Sequence, residues 1–417
     1  MTPRPCRPPV LLAAALLLAS AAAAPAQGSE ILWDRWGVPH VYARTDRELG
    51  WGFGWAQAHS HGDRGLRVYG LARGRGGQYW GERYRESDRL VRPVGTPERA
   101  ARDLAAQPAE LRRYLQGFAD GFNAYARAHP ERIADSLEAV LPVAPEDLLR
   151  HAHRAMFAFV SVTGNQPPPV GLDGLPAEAR RPGSNGWAIA PSRSASGNAL
   201  LLQNPHLSWD DDLQLFYEAH LVGPGTDLYG VALIGFPTIA IGFNDRLGWT
   251  HTVNTIDALD TYRLVRQGEG YRFDGATRPF RTSRQTLRVK GADGRVRDEE
   301  LAVRRSVHGP VVRMDDTSAV ALRTTSLEAG GLARQFWEMG RARGLAEFEA
   351  ALRRMQLPMF NVVYADRDGR VLYLFGGRVP RRPSGDFAAW QGTVGGETSA
   401  TLWDRSLRYD ELPGVVV

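Results

Sequence analysis

Ser184 stands where a Pro/Gly-rich stretch, 164–183, gives way to alternating apolar residues, in the run RRPGSNGWAIAP at 180–191. A serine hydroxyl is a weak nucleophile until a base takes its proton. No Gly-x-Ser-x-Gly elbow surrounds Ser184, and no His-Glu-x-x-His occurs in the chain, so neither of those two common hydrolytic arrangements is written here. A different route uses the chain itself. A cut before Ser184 frees an α-amine whose ordinary pKa is about 8, on the same residue as the hydroxyl it would deprotonate. Gly183 lets the backbone take up the geometry in which the hydroxyl reaches its own preceding carbonyl. Ser184 then opens a strand, a rigid seat for a reacting group. Taken alone, these residues also read as a linker serine ahead of a strand.

Two kinds of element flank this junction. Upstream, 30–42 reads as two short strands around Gly-Val-Pro, followed by one helix bounded by glycines between Asp46 and Gly81. Residues 97–160 carry helical periodicity, with Leu111, Tyr114, Leu115, Phe118 and Phe122 on one face. Downstream of the Pro/Gly stretch, short apolar or alternating runs separated by Gly, Pro and Asn predict strands from Trp187 to Val265. The segments from Tyr271 to Val312 read as a peripheral set of hairpins. A helix at 344–355 precedes a strand pair turning at Asp-Arg-Asp-Gly, 366–369. Helices first and strands afterwards argue for an α+β fold. There is no internal repeat.

Composition narrows the function classes. The net charge of +5 is spread over an Arg-rich, well-mixed surface without a dense basic run, so nucleic acid is not an expected partner. Arg4 and Arg7, the apolar run from Val10 and the Ala24-Pro25-Ala26 site have the layout of a secretory signal peptide over 1–26. That run is short for a membrane span, so no stable membrane insertion is expected. Export to the periplasm or beyond is the expected address. Cys6, the single cysteine, would leave with the leader, and the exported chain would then hold no disulfide, thiol nucleophile or thiolate metal site.

GSNGWAIAPSRSASGNALLLQNPHLSW from Gly183, with IGFPTIAIGFNDRLGWTHTVNTIDALDTYRL and VHGPVV downstream and DRWGVPHVYARTDRELGWGFGWAQA upstream, resembles the penicillin acylase family of N-terminal nucleophile hydrolases, on the side of the acyl-homoserine-lactone and aculeacin-type acylases. The resemblance extends from about residue 30 to the end of the chain. It implies a four-layer αββα core and a precursor cut between Gly183 and Ser184. A small chain (27–163), a discarded spacer (164–183) and the first part of a catalytic chain (184–417) would result, the two chains forming a heterodimer. It further implies Ser184 as nucleophile and its amine as base, with His206 hydrogen-bonding that amine or the hydroxyl. Val253 would offer its backbone N–H to the oxyanion. One such donor is worth roughly 3 kcal/mol in the transition state.

Leu207, Phe236 and Ile239 are the expected lining of an apolar acyl pocket. No cofactor is required. Asp257 and Asp260 fall near where some members hold a structural Ca²⁺, since two carboxylates and a carbonyl can begin an oxygen shell. The other histidines form no metal-ligand set, and His251, on the strand that leads to Val253, could point toward the site, with surface or core satisfaction the expectation. The family continues beyond a segment like the one ending this chain, to an Asn that is the second oxyanion donor and a later Arg, so the chain reads as C-terminally truncated relative to the family.

The implied reaction is hydrolysis of the amide of a small N-acyl compound, an acyl-homoserine lactone or a lipopeptide, through an acyl-enzyme on Ser184. A penicillin or cephalosporin acylase, and an unprocessed remnant or binding protein, are the competing readings.

Overall fold

The computed structural model describes residues 28–163 and 183–417 except 387 and 413, and the side chains of 162 and 163 are not described. The expected leader at 1–26 and nearly all of the expected spacer therefore lie outside the described residues. A hairpin opens the fold, β1 (Ser29–Trp33) and β2 (Pro39–Ala43), turning at Gly37 with φ +82°. Helices follow: α1 (Asp46–Ala72), α2 (Gly76–Trp80), α3 (Arg85–Val91), α4 (Thr96–Ala106), α5 (Ala109–Ala128) and α6 (Pro145–Thr163).

From Gly183 the chain is strand-rich, with β3 (Gly183–Ile189), β4 (Leu200–His206), β5 (Phe216–Gly223), β6 (Thr226–Leu233), β7 (Ile241–Asn244), β8 (Leu247–Thr252) and β9 (Leu259–Gln267). Next come β10 (Gly270–Phe273), β11 (Ala276–Pro279), β12 (Arg281–Lys290), β13 (Val296–Arg305), β14 (Val311–Met314) and β15 (Ser318–Thr324). Helices α7 (Leu332–Arg341) and α8 (Leu345–Leu352) then lead to β16 (Met359–Asp366), β17 (Val371–Gly377), β18 (Thr393–Gly395) and β19 (Val415–Val416).

The helical and strand-rich halves share one sheet. Its order is β1-β2-β5-β6-β7-β8-β16-β17-β19, and β2 joins β5 in parallel, His40 opposite His220. The helices cover one face through a common core that includes Phe53, Phe118, Phe236 and Trp249. Trp249 on β8 and Tyr364 on β16 point into it and meet Phe348 of α8, with ring centroids 5.8 and 4.7 Å apart. On the other face lies a two-stranded ribbon, β3–β4, crossing β8 and β16. Gln203 on β4 donates to the carbonyls of Trp249 (2.9 Å) and Gly242 (3.2 Å). Gly186 is what permits the ribbon to sit this close, because a Cβ there would come 2.8 Å from Thr250 Cγ2. The ribbon's outer face carries exposed Trp187, Ile189, Leu200 and Leu202.

Two expectations change. The segments after Tyr271 are not all peripheral: β9, β10, β11, β14 and β15 form a second sheet that β18 joins beside β9, and β12–β13 alone stands apart as a ribbon. The helix between Asp46 and Gly81 is broken at His61 (φ −145°, ψ 36°) and ends at Ala72. Its start is set locally, by a reciprocal capping box between Thr45 and Glu48. Its end is tied to the start of α6, because both Asp147 oxygens accept from the Arg73 guanidinium at 2.8 and 2.6 Å. No helix among the described residues is long and apolar enough to cross a membrane.

All five apolar positions expected on one face of α5 are buried. They pack on α1 with the two backbones nearly touching. A Cβ at Gly50, Gly54 or Gly117 would lie 2.0 Å from a carbonyl oxygen of the facing helix, and one at Gly121 1.9 Å from the Trp51 carbonyl. Gly54→Ala and Gly121→Ala are therefore each expected to destabilise by about 1–3 kcal/mol or more, since backbone cannot yield as a side chain does. The pair should cost less than the sum, because the first substitution parts the helices for the second. Thermal unfolding followed by circular dichroism measures this, with Gly395→Ala, in open space, as the near-neutral control.

Candidate functional site

Strand alternation decides what each residue of the ribbon faces. In the β3–β4 register Gly183 lies opposite His206 and Ser184 opposite Pro205. Ser184, Pro205, Gly186 and Gln203 point inward, while Asn185, Asn204 and His206 are exposed on the other face. The Ser184 hydroxyl donates to the carbonyl of Gly183, in a short contact. The nucleophile candidate thus rests on the peptide bond it would attack.

Ser184 opens onto a small cavity of about 50 Å³, room for roughly one or two waters. The cavity lies at the end of β8, where ribbon, sheet and helices meet. Leu207, just beyond β4, and Phe236, after β6, line it, with Met156 and Phe159 from α6. Phe216, Phe336 and Phe360 come from β5, α7 and β16, and Val253 closes the end of β8. None of the lining residues is charged. A larger, open cleft of about 690 Å³ runs along residues 243–248 and 365–367 and does not include Ser184.

Ile239 does not line this cavity. Its side chain is 1% exposed and packs on Gly230 and Gly242, whose added Cβ atoms would fall 2.7 and 2.9 Å from its Cγ2. It belongs to the core beside Leu49 and Tyr114.

His206 is placed differently from the expectation that it could reach the hydroxyl. Its position opposite Gly183 puts the ring on the outer face, where Nδ1 would be 3.5 Å from a Cβ at Gly183 and Nε2 bonds Asn204 Oδ1. It therefore flanks the Gly183–Ser184 peptide rather than the Ser184 side chain.

Val253 is held by its surroundings. Asn361 donates to Thr252 Oγ1 at 2.8 Å and reaches the Val253 carbonyl at 3.5 Å. Buried Asn254 donates to the Gly376 carbonyl at 2.6 Å and accepts from the Ile256 N–H. These bonds fix the turn by which the chain leaves the main sheet for the second one.

Asp257 and Asp260 follow directly, and a cation already lies between them. Arg382 Nη2 is 3.0 Å from a carboxylate oxygen of each and donates to the Asp257 carbonyl. Trp403 Nε1 also donates to Asp260, and the guanidinium carbon lies 5.3 and 5.6 Å from the ring centroids of Trp390 and Trp403. Burial pushes the Asp257 carboxyl up to about 6, with Arg382 opposing and Asp260 adding to the rise. The expected Ca²⁺ does not fit here, because a fixed positive charge occupies the space between the only two carboxylates of the proposed shell. Among the described residues no three His, Cys, Asp or Glu side chains converge as a metal would need.

His251, for which the sequence leaves a place toward the site open beside surface or core satisfaction, lines the cavity with Ser184. Burial pushes its imidazole down to about 4, against the pull of the Asn361 and Ala240 carbonyls, so the ring is neutral near pH 7. His151 and His308 instead bond the carbonyls of Ile234 (2.8 Å) and Gly396 (2.9 Å) inside the fold.

The sequence profile described as Penicillin amidase matches residues 29–417. The chain is similar to the acyl-homoserine lactone acylase PvdQ of Pseudomonas putida, 35% identical over 403 residues that cover 86% of this chain and 51% of that protein. It is 31% identical to PvdQ of Pseudomonas fluorescens over 428 residues, 90% of this chain and 55% of that one. With aculeacin-A acylase of Actinoplanes utahensis the identity is 30% over 397 residues, 83% and 49%. The chain spans about half the length of the curated relatives it matches. Among solved structures, the thermostable penicillin G acylase from Alcaligenes faecalis, in its orthorhombic form, matches with a TM-score of 0.47 and 22% identity, over 56% of this chain and 42% of that one.

Proposed function

The chain belongs to the penicillin amidase family, and from that premise we propose that it is an exported, self-processed acylase that hydrolyses the amide of N-acyl compounds with aliphatic acyl groups. The observation that carries the reading is the uncharged, apolar cavity onto which the Ser184 hydroxyl opens. An aliphatic chain loses nothing by leaving water there, whereas the carboxylate of a dicarboxylic acyl group would be buried without a partner. That favours acyl-homoserine lactones or lipopeptides over β-lactams with charged side chains.

In the proposed sequence Ser184 Oγ first attacks the Gly183 carbonyl carbon. The peptide C–N bond breaks as an ester forms, and water hydrolyses the ester, leaving a carboxylate on Gly183 and a free amine on Ser184. That cut yields a catalytic chain from Ser184 and leaves the spacer on the upstream chain; a second peptide hydrolysis, near residue 163, then releases the spacer and leaves a small chain from about residue 27 to 163. In turnover the amine takes the hydroxyl proton while Oγ attacks the substrate amide, and returns it to the departing amine. The Val253 N–H donates to the oxyanion. His206, on the far face of the ribbon beside Gly183, serves the new amine rather than the hydroxyl in this sequence of steps. No step uses a metal or cofactor.

The helices, the main sheet and the crossing ribbon support three layers of a four-layer αββα core. The free cavity is small, so a long acyl chain enters as Met156 and the phenylalanine side chains swing aside. The test is release of free fatty acid from an N-acyl-homoserine lactone by the full chain, followed by mass spectrometry. Release of phenylacetate from its amide with no fatty acid from any lactone would turn the assignment to the aromatic acylases.

A further inference from the structure

The cavity beside Ser184 has one polar side chain other than the serine. His251 on β8 is 6% exposed, its ring held between Phe336 and Phe360 with centroids 5.8 and 5.6 Å away. Nδ1 lies 3.4 Å from the Asn361 carbonyl oxygen, and Nε2 has no hydrogen-bond partner. A neutral imidazole carries one ring proton. Placing it on Nδ1 makes the one hydrogen bond the geometry gives this ring, to the Asn361 carbonyl, and leaves on Nε2 a lone pair with no partner within hydrogen-bond distance. The opposite tautomer would set the Nδ1 lone pair against the Asn361 oxygen, two acceptors face to face. A ring of this kind needs a donor, and no lining residue supplies one.

We propose that His251 is a specificity-determining residue: its Nε2 accepts a hydrogen bond from a hydroxyl on the acyl chain of the substrate, so that hydroxylated chains are taken in preference to unsubstituted ones. This rests on the acyl-transfer reading of Ser184. A keto group at the same place offers only an acceptor and gains nothing, so hydroxyl and keto chains are separated by the same nitrogen.

The experiment uses N-acyl-homoserine lactones of one chain length, unsubstituted, 3-oxo, or bearing one hydroxyl at successive carbons from the carbonyl. For the full chain, one hydroxylated isomer should exceed the unsubstituted compound by roughly three- to tenfold in kcat/KM, the strength of one net hydrogen bond, and chiefly through KM. In His251→Phe that ratio should fall to about one, and in His251→Gln, whose side-chain oxygen accepts, it should be partly kept. Because the ratio is read within each variant, a general loss of rate cancels. A parallel calorimetric titration with the free hydroxylated and unsubstituted fatty acids separates the two layers of the argument. Preferential binding of the hydroxy acid, lost in His251→Phe, upholds His251 even where no lactone is hydrolysed, and only the acylase reading then falls. Turnover without preference, or a preference that survives His251→Phe, overturns the role of His251, as does equal binding of both acids where nothing is hydrolysed.

Discussion

Ser184→Ala should remain a single chain and release no acyl group, with activity down by at least about four orders of magnitude. One oxygen is asked to do two jobs, opening the Gly183 peptide and then the substrate amide, and alanine has nothing to put in its place. The substitution is gentle on the fold. The hydroxyl's hydrogen bond is to the neighbouring Gly183 carbonyl, the residue is half-buried in β3, and removing one oxygen there should change stability by less than about 0.5 kcal/mol. Lost function with an unchanged melting curve is therefore the expected pair of results. Intact-mass analysis provides the decisive comparison. The wild-type chain should yield a fragment whose first residue is Ser184, and the variant should not. Identical masses for the two proteins, both uncut, would end the case for self-processing.

Arg382→Ala should destabilise the protein by about 3–5 kcal/mol, the usual consequence of stripping the partner from buried charges. Its guanidinium holds Asp260, whose side chain is fully buried, and Asp257, which is nearly so, and it pins the turn that follows Val253. The loss should also depend on pH. Burial already raises Asp257 to about 6 and lifts Asp260 as well, with Arg382 the main force holding both down. A carboxyl whose folded pKa lies above its unfolded value binds its proton more tightly in the folded state. Its contribution therefore falls as pH rises through the interval between the two, from about 4 to about 6 for Asp257 in the wild type. Without Arg382 the interval extends upward. Urea unfolding should consequently show a larger deficit at about pH 8 than at about pH 5, and Asp257→Asn should recover part of it. Rescue of the variant by Ca²⁺ would restore the metal reading that the guanidinium now displaces.

Much of the fold was legible because it is written in near neighbours. The α5 face repeats every three to four residues, the Thr45–Glu48 box starts α1 within one turn, and Gly37 makes the first hairpin. α7 was missed: LARQFWEMGR mixes charge with apolar residues over only ten positions, too short a window for the period to stand out. The ribbon strand LLLQNPH was legible as a strand, but not which of its apolar residues would stay uncovered: Leu200 and Leu202 are exposed on its outer face.

What the sequence by itself determined is the candidate for the reacting group and its context: a serine after a glycine, opening a strand, behind a dispensable-looking stretch. Those features depend on covalent neighbours and on the two-residue alternation of a strand. The tertiary structure alone decided what surrounds that serine. It brought Met156, Phe159, Phe336 and Phe360 to the cavity from three distant elements and turned His251 inward to join them. It sent Ile239 into the core, turned His206 to the far face, and set Arg382 between Asp257 and Asp260. Each of those placements joins residues far apart in the chain or depends on strand register, and register and packing are settled only when the sheets, ribbon and helices close on one another.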